Sequence, residues 1–489
     1  MIQFPSDTPV ADAPEAMSSG PLIISEGRGT PIFRLPPELL ARVFLLAKYQ
    51  EDLERLCERD DAGAPSESQT VYIRVCSLFR AVALSTAALW AIVTVDPSVT
   101  IHRVRAYCSR SAAAPLDVIV SLPQRYSTDL TVRDNIFEML EIVVAESYRW
   151  RKLAISLGRD MISQRSIIHL LGSCPTPMLQ HVDLIVESVD KFDMTVLQRS
   201  PLHPTLFNRT GSNISFLRLR GLAVHIFRPP LDNLAVLHID HTSAIHLKYD
   251  TFRDLLMASK HLSHLSIYGD TVNSEEWPVI STPATIILLP SLESLRIRGT
   301  DGVVFSGVLK NIDAPRLHSL VLKELQETDL APQMAITLPQ VKELTFCDFD
   351  LSEKAYESLY HLFPSIQKFT LLSSSIGVSK VAKTLCDDGP MTQLDPPVPW
   401  PHLSTITSCF DERDDPWIVE MVLRDRQSLG CPIVELEFIT EGDSEEVLEW
   451  LEGVDEKGMF EGALITTIDA LPPWPVGMPS VDINDVLFN

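Results

Sequence analysis

Along much of this chain, apolar residues recur at the first, fourth and sixth places of a short unit, with polar residues between them. The clearest case is Leu289-Pro290-Ser291-Leu292-Glu293-Ser294-Leu295-Arg296-Ile297-Arg298-Gly299, where Leu292, Leu295 and Ile297 hold those places. The end of the unit alternates as a β-strand does, one side chain into a core and the next towards solvent. The spacing returns at Trp150/Leu153/Ile155, Leu179/Val182/Leu184, Ile214/Leu217/Leu219, Leu234/Leu237/Ile239 and Leu262/Leu265/Ile267. It continues at Leu317/Leu320/Leu322, Val341/Leu344/Phe346 and Ile366/Phe369/Leu371, and fades at Leu403/Ile406/Ser408. Successive starts lie 29, 35, 20, 28, 30, 25, 24, 25 and 37 residues apart, and Pro177, Pro290, Pro315, Pro364 and Pro401 precede several of them. One such unit arises readily by chance. A long series predicts a stack of strands, each followed by a return segment of variable length. The competing reading is an ordinary α/β domain with several leucine-rich strands.

Ahead of the stack the period changes to that of helices. From Pro31 the chain reads Pro-Ile-Phe-Arg-Leu-Pro-Pro-Glu-Leu-Leu-Ala-Arg-Val-Phe. Proline suits a first helical turn, and Glu38 suits the positive end of the helix dipole. Leu39, Leu40, Val43, Phe44 and Ala47 form an amphipathic stripe, and the helix is expected to run through Glu51 towards Arg59. A second helix is expected from Ser66, which with Gln69 fits a capping box, turning Val71, Val75, Leu78, Phe79 and Val82 inward. Ser85-Thr86 should break it. Residues 97–148 are expected to hold a helix at Val104–Ser111, a strand at Leu116–Val120 and a helix at Leu130–Ser147, covering the open end of the stack. The stack proper spans 149–440. Residues 441–489 are read as a cap, with an acidic helix at Ser444–Leu451, and a flexible end from Asp469. Residues 1–30, rich in Pro, Gly, Ser and acid, are read as a mobile arm.

Composition narrows the function classes. A length of 489 residues exceeds one compact core, so a repeat array or several units are expected. The net charge of −24 opposes general binding to nucleic acid or anionic membrane. Eight scattered cysteines without a C-x-x-C pair suit reduced thiols of the cytoplasm or nucleus, and neither a disulfide framework nor a zinc site. No signal peptide is visible, and the longest uncharged run, Ala81–Val95, is shorter than the ~20 residues that cross a bilayer. The phosphate loop, the dinucleotide turn, H-E-x-x-H and the G-x-S-x-G elbow are absent, so no catalytic, cofactor or metal residues are assigned and no enzyme is expected. Histidines gather at His238, His241 and His246 and at His261 and His264, without a carboxylate or thiol at ligand spacing.

The N-terminal motifs carry a family resemblance. Leu35-Pro36-Pro37-Glu38-Leu39-Leu40 with Val43-Phe44, then Val75-Cys76 with Phe79-Arg80-Ala81-Val82-Ala83, then Leu89-Trp90, resemble the F-box, the helical module that docks a chain on the Skp adaptor of a cullin ubiquitin ligase. Phe79 stands where the family usually has tryptophan, and the segment between Phe44 and Val75 is longer. With Ser109-Arg110-Ser111, Pro115-Leu116, and Arg149-Trp150-Arg151-Lys152-Leu153, residues 31–440 are similar to the F-box-like leucine-rich-repeat proteins of mushroom-forming fungi. The resemblance implies an α/β architecture: an F-box-like helical module at 31–96, then an irregular leucine-rich-repeat solenoid, or horseshoe. It implies adaptor contacts at Leu35, Pro36, Leu39 and Val43, with a Skp-type adaptor and cullin as partners through residues 31–96. The residues between the inward leucines should line the concave face, where such arrays bind partners. They include Arg218, Arg220, His238, Tyr268, Arg296, Arg298 and Lys323, with Asp240 as the exception. Arginine pairs carboxylate or phosphate in bidentate fashion, so an acidic or phosphorylated target segment is expected there. The expected function is substrate recognition within a ubiquitin ligase. The alternative is a binding scaffold whose F-box-like helices only cap the solenoid.

Overall fold

The computed structural model describes residues 31–57, 68–122, 130–158, 167–187 except 168 and 173, 206–207, 213–278 except 228, 284–299, 303–324, 336–347, 353–372, 385, 398–409, 416–439, 463–468 and 474. The arm at 1–30 and the helix expected at 444–451 lie outside these residues.

Three helices open the described chain: α1 (Pro37–Cys57), α2 (Ser68–Val75) and α3 (Ser77–Ser85). Leu40, Phe44 and Lys48, one turn apart, form the buried side of α1. Phe44 stacks on Tyr72 at 4.4 Å and meets Phe79 edge-on at 5.0 Å. The single second helix expected from the sequence is two. It breaks at Cys76, whose backbone is extended and whose Sγ accepts from the Phe79 N–H at 3.4 Å. The break also corrects the expected facing of α2, because Val71 and Val75 point to solvent whereas Phe79 and Val82 are buried.

Among the described residues, fourteen strands then form one open parallel sheet. Their ranges are β1 (Ile92–Val95), β2 (Leu116–Leu122), β3 (Trp150–Leu157), β4 (His181–Val186), β5 (Phe216–Gly221), β6 (Val236–Asp240), β7 (His264–Tyr268), β9 (Ser294–Arg298), β11 (Ser319–Lys323), β12 (Glu343–Cys347), β13 (Lys368–Leu372), β14 (Thr405–Cys409), β15 (Glu435–Ile439) and β16 (Leu464–Ile468). They lie side by side in chain order, while β8 (Ile287–Leu288) and β10 (Ile312–Asp313) pair separately. Every apolar triplet read from the sequence falls on a strand or its entry, and every member is buried. Leu265, Leu295, Leu320, Leu344 and Phe369 are in register across five strands, so each inward residue stacks on its counterpart in the next unit.

Helices α4 (Ile101–Arg110), α5 (Leu130–Val144), α6 (Tyr249–Ala258), α7 (Val303–Asn311), α8 (Glu353–Leu362) and α9 (Pro416–Ser428) fill the returns. Phe252, Leu256, Phe305, Val308, Tyr356 and Leu359 join the strand leucines in one apolar core. Each fully buried side chain of this size stabilises the array by roughly 1.5–3 kcal/mol.

The sheet extends past the expected range of 149–440 at both ends. The segment read as a cover at 97–148 supplies α4, β2 and α5, and β1 and β2 are the first strands of the sheet itself. Beyond residue 440, β16 continues the ladder on β15. Among the described residues no helix is long and apolar enough to cross a membrane. Cys76, Cys108, Cys174, Cys347 and Cys431 are free thiols, and burial pushes those of Cys108 and Cys174 up to about 11.

Candidate functional site

Two surfaces could receive partners. The first is the outward side of α1. At 100° per residue, Leu39, Val43 and Leu46 lie within about 60° of one another and well away from the buried row of Leu40, Phe44 and Lys48. They are 49%, 41% and 60% exposed. Ile32 and Phe33, in the single turn that precedes Leu35, are also exposed, Leu35 is half-buried, and Pro36 is exposed. The inward side of α1 is anchored to the connection that enters β1, where the Lys48 ammonium donates to the Leu89 carbonyl at 3.0 Å. Of the four residues that the resemblance assigned to adaptor contact, Pro36, Leu39 and Val43 are open to solvent, and Leu46 extends the exposed row.

The second surface is the face of the sheet opposite the helices. Register places the sequence-predicted residues in two columns. Arg218, His238, Ser266 and Arg296 are neighbours across β5, β6, β7 and β9, and Arg220, Asp240, Tyr268, Arg298 and Lys323 form the next column, reaching β11. All seven predicted residues are thus brought together on one face. Their state differs from that of open strand side chains: Arg218, His238, Arg296 and Lys323 are buried, and Arg220, Tyr268 and Arg298 are half-buried.

The charges on this face are largely matched within the chain. Arg218 Nε donates to Asp240 Oδ2 at 2.5 Å in a fully buried pair, and Arg220 Nε lies 3.5 Å from the same oxygen. Arg298 grips Glu324 in bidentate fashion, at 2.8 and 2.5 Å, and lies 5.0 Å over the Tyr268 ring. Asp240, the exception in an otherwise basic strip, is the counter-charge that lets Arg218 be buried. Arg296 Nε donates to Ser266 Oγ at 3.1 Å. His181 stacks on Phe216 at 4.0 Å, and Phe216 lies 5.1 Å from His238. Burial, then the charges of Arg296 and Arg218, holds His238 well below the usual histidine range. Burial, then Lys152 and Arg218, does the same to His181. These rings are neutral at physiological pH, and the positive charge of the face resides on its arginines and lysine.

One further residue meets this face from far along the chain. Trp474 Nε1 donates to Ser294 Oγ at 2.9 Å, and its ring lies 4.3 Å from the Arg296 guanidinium. His181, Phe216, Ser294 and Trp474 were not foreseen. The alternation that singled out Arg218 and Arg296 also points to His181, Phe216 and Ser294. Trp474 lies in a proline-flanked stretch without periodicity, which carries no sign of where it docks. Among the described residues no group of three or more His, Cys, Asp or Glu could hold a metal ion. No protein-family model matches this chain, and no curated protein shows significant similarity to it.

Proposed function

We propose that this chain is the substrate-recognition subunit of a Skp–cullin–F-box ubiquitin ligase, with α1–α3 as an F-box-like module and the parallel stack as an irregular leucine-rich-repeat solenoid. The module would dock on a Skp-type adaptor and through it on the cullin. The solenoid would hold the target on the face opposite its helices, and the cullin-bound partners would carry out catalysis in the cytoplasm or nucleus.

The observation that carries this reading is the exposed row Leu39, Val43 and Leu46. A helix serving only as a cap keeps its free side polar, whereas one that lies in a partner's groove needs apolar anchors at spacings of three and four. The cap role is already filled by the opposite row of Leu40, Phe44 and Lys48. On the target face, Asp240 and Glu324 engage Arg218 and Arg298, so an acidic or phosphorylated segment would bind by exchanging with those carboxylates.

The test is capture of a purified Skp-type adaptor by the full chain and by a Leu39→Asp/Val43→Asp variant. Two charges pressed into an apolar groove should weaken binding by about 100-fold or more. Exposed substitutions of this kind change stability by only about 0.5 kcal/mol, so melting should be almost unmoved. Phe44→Ala is the contrasting control, losing about 3–5 kcal/mol of stability. Adaptor capture that survives the double aspartate variant, or that never occurs, leaves the scaffold reading in place.

A further inference from the structure

Trp474 is the sole residue of 469–489 that the structure describes, and it occupies a defined seat. Its indole N–H donates to Ser294 Oγ at 2.9 Å and its ring lies 4.3 Å from the Arg296 guanidinium. His238 and His264 meet the ring nearly edge-on, at 5.4 and 5.9 Å. These four partners come from three adjacent strands. His264 and Ser294 are register neighbours in one column, and His238 and Arg296 flank Ser266 in the next. The seat is therefore fixed by the sheet ladder, with Arg296 itself buried and tied to Ser266.

The chemistry of this seat fits an indole better than the other aromatic side chains. A cation over the ring favours the largest π-face, and tryptophan is the best acceptor of such a contact. The serine hydroxyl accepts a ring N–H that phenylalanine lacks. Around Trp474 the sequence reads Leu471-Pro472-Pro473-Trp474-Pro475. Proline fixes its own φ, so a target peptide with such flanking prolines loses less conformational entropy when it docks.

We propose that the face opposite the helices bears a recognition site for tryptophan-containing, proline-flanked peptide segments, and that the chain's own Trp474 fills this site in cis, so that a target segment of the same chemistry enters by displacing it. The proposal rests on the reading of this face as the target surface and adds an aromatic anchor to the acidic or phosphorylated segment proposed for it. A tethered segment competes at an effective concentration on the order of millimolar, enough to mask the site from most free peptides.

The test uses the full chain and its Trp474→Ala variant, with a fluorescein-labelled synthetic peptide of residues 469–480 followed by fluorescence anisotropy. The variant should bind the peptide at least about 10-fold more tightly than the unaltered chain, because the tethered competitor is gone. A peptide with alanine in place of the tryptophan should not bind, and adding Arg296→Gln to the Trp474→Ala chain should weaken binding. If Trp474→Ala perturbs folding, Trp474→Phe keeps ring volume, loses the N–H, and should give intermediate affinity. The proposal is overturned if the peptide does not bind a folded variant, if it binds regardless of its tryptophan, or if both chains bind it equally. Target capture that persists on the Trp474→Ala chain without peptide binding would remove the indole site and leave the target face standing. Peptide binding that has no bearing on target capture would remove the target-face reading instead.

Discussion

Arg149 is buried, and its guanidinium nitrogens reach Glu146, Ser111 and the carbonyls of Cys108 and Ala114 at 2.8–3.1 Å. It therefore ties the end of α4 to the start of β3, which gives a physical reason for an Arg-Trp pair following a Ser-Arg-Ser helix end. Arg110 lies 4.4 Å over Trp90, and Arg151 pairs with Asp117 on the neighbouring strand. Single histidines carry a pH consequence. His238 and His181 stay neutral in the fold well below the usual range, burial being the main cause. In the unfolded chain they protonate near 6.5, so below that pH the unfolded state binds more protons and stability falls as the pH drops. Denaturant midpoints at pH 7.5 and 5.5 should show this drop, and His238→Gln should shrink it. An equal drop in both proteins would mean that His238 does not contribute.

At the scale of strands and turns, the 1-4-6 spacing is sufficient to locate the strands because it records which side chains must leave water. It holds at two further places, one ahead of the expected array and one inside it. Trp90/Val93/Val95 forms β1 and its entry, and Ile433/Leu436/Phe438 forms β15 and its entry, with all six residues buried. The short spacing is thus sound, and the first of these strands lies ahead of the expected start at 149. Alternation also placed Arg218 and Arg298 on the second face. The burial of Arg218, the partial burial of Arg298 and the seating of Arg296 against an indole were not legible, because they depend on Asp240 one strand away, on Glu324 beyond β11, and on Trp474, which lies 180 positions from Ser294. The outward row of α1 was ambiguous in the sequence for a related reason: one amphipathic stripe contains both Leu39 and Leu40, and only the packing of Phe44 on Tyr72 and Phe79 divides them. Turn chemistry yields a prediction of its own. Gly221 ends β5 at φ +63°, and a Cβ there would meet the Val186 carbonyl oxygen at 2.3 Å. The left-handed backbone alone costs a non-glycine residue roughly 1–2 kcal/mol, and the contact adds to it. Gly221→Ala should therefore lower stability by at least about 2 kcal/mol in urea unfolding. A change below about 0.5 kcal/mol would show that the turn adapts.

Over the whole molecule, a sheet whose strands pair only with their neighbours in chain order behaves as a nearly one-dimensional array, its stability a sum of unit and interface contributions. Leu320 tests this, since it sits fully buried in β11 between Leu295 of β9 and Leu344 of β12. An aspartate there has no partner for its charge and should disrupt units on both sides. Hydrogen exchange on Leu320→Asp should lose protection from β9 to β13 and keep most of it from β2 to β5. Uniform loss from β1 to β16 would mean one all-or-none unit. The indole contact of Trp474 adds a tie outside this nearest-neighbour scheme, because it joins a residue beyond β16 to Ser294 and Arg296 of β9. If Leu320→Asp loosens β9, it also loosens the seat of the indole. Trp474→Ala should then cost measurably less in the Leu320→Asp background than in the unaltered chain, with a coupling of about 0.5–3 kcal/mol in a double-mutant cycle. Strict additivity would mean that the tail senses nothing of the array beneath it.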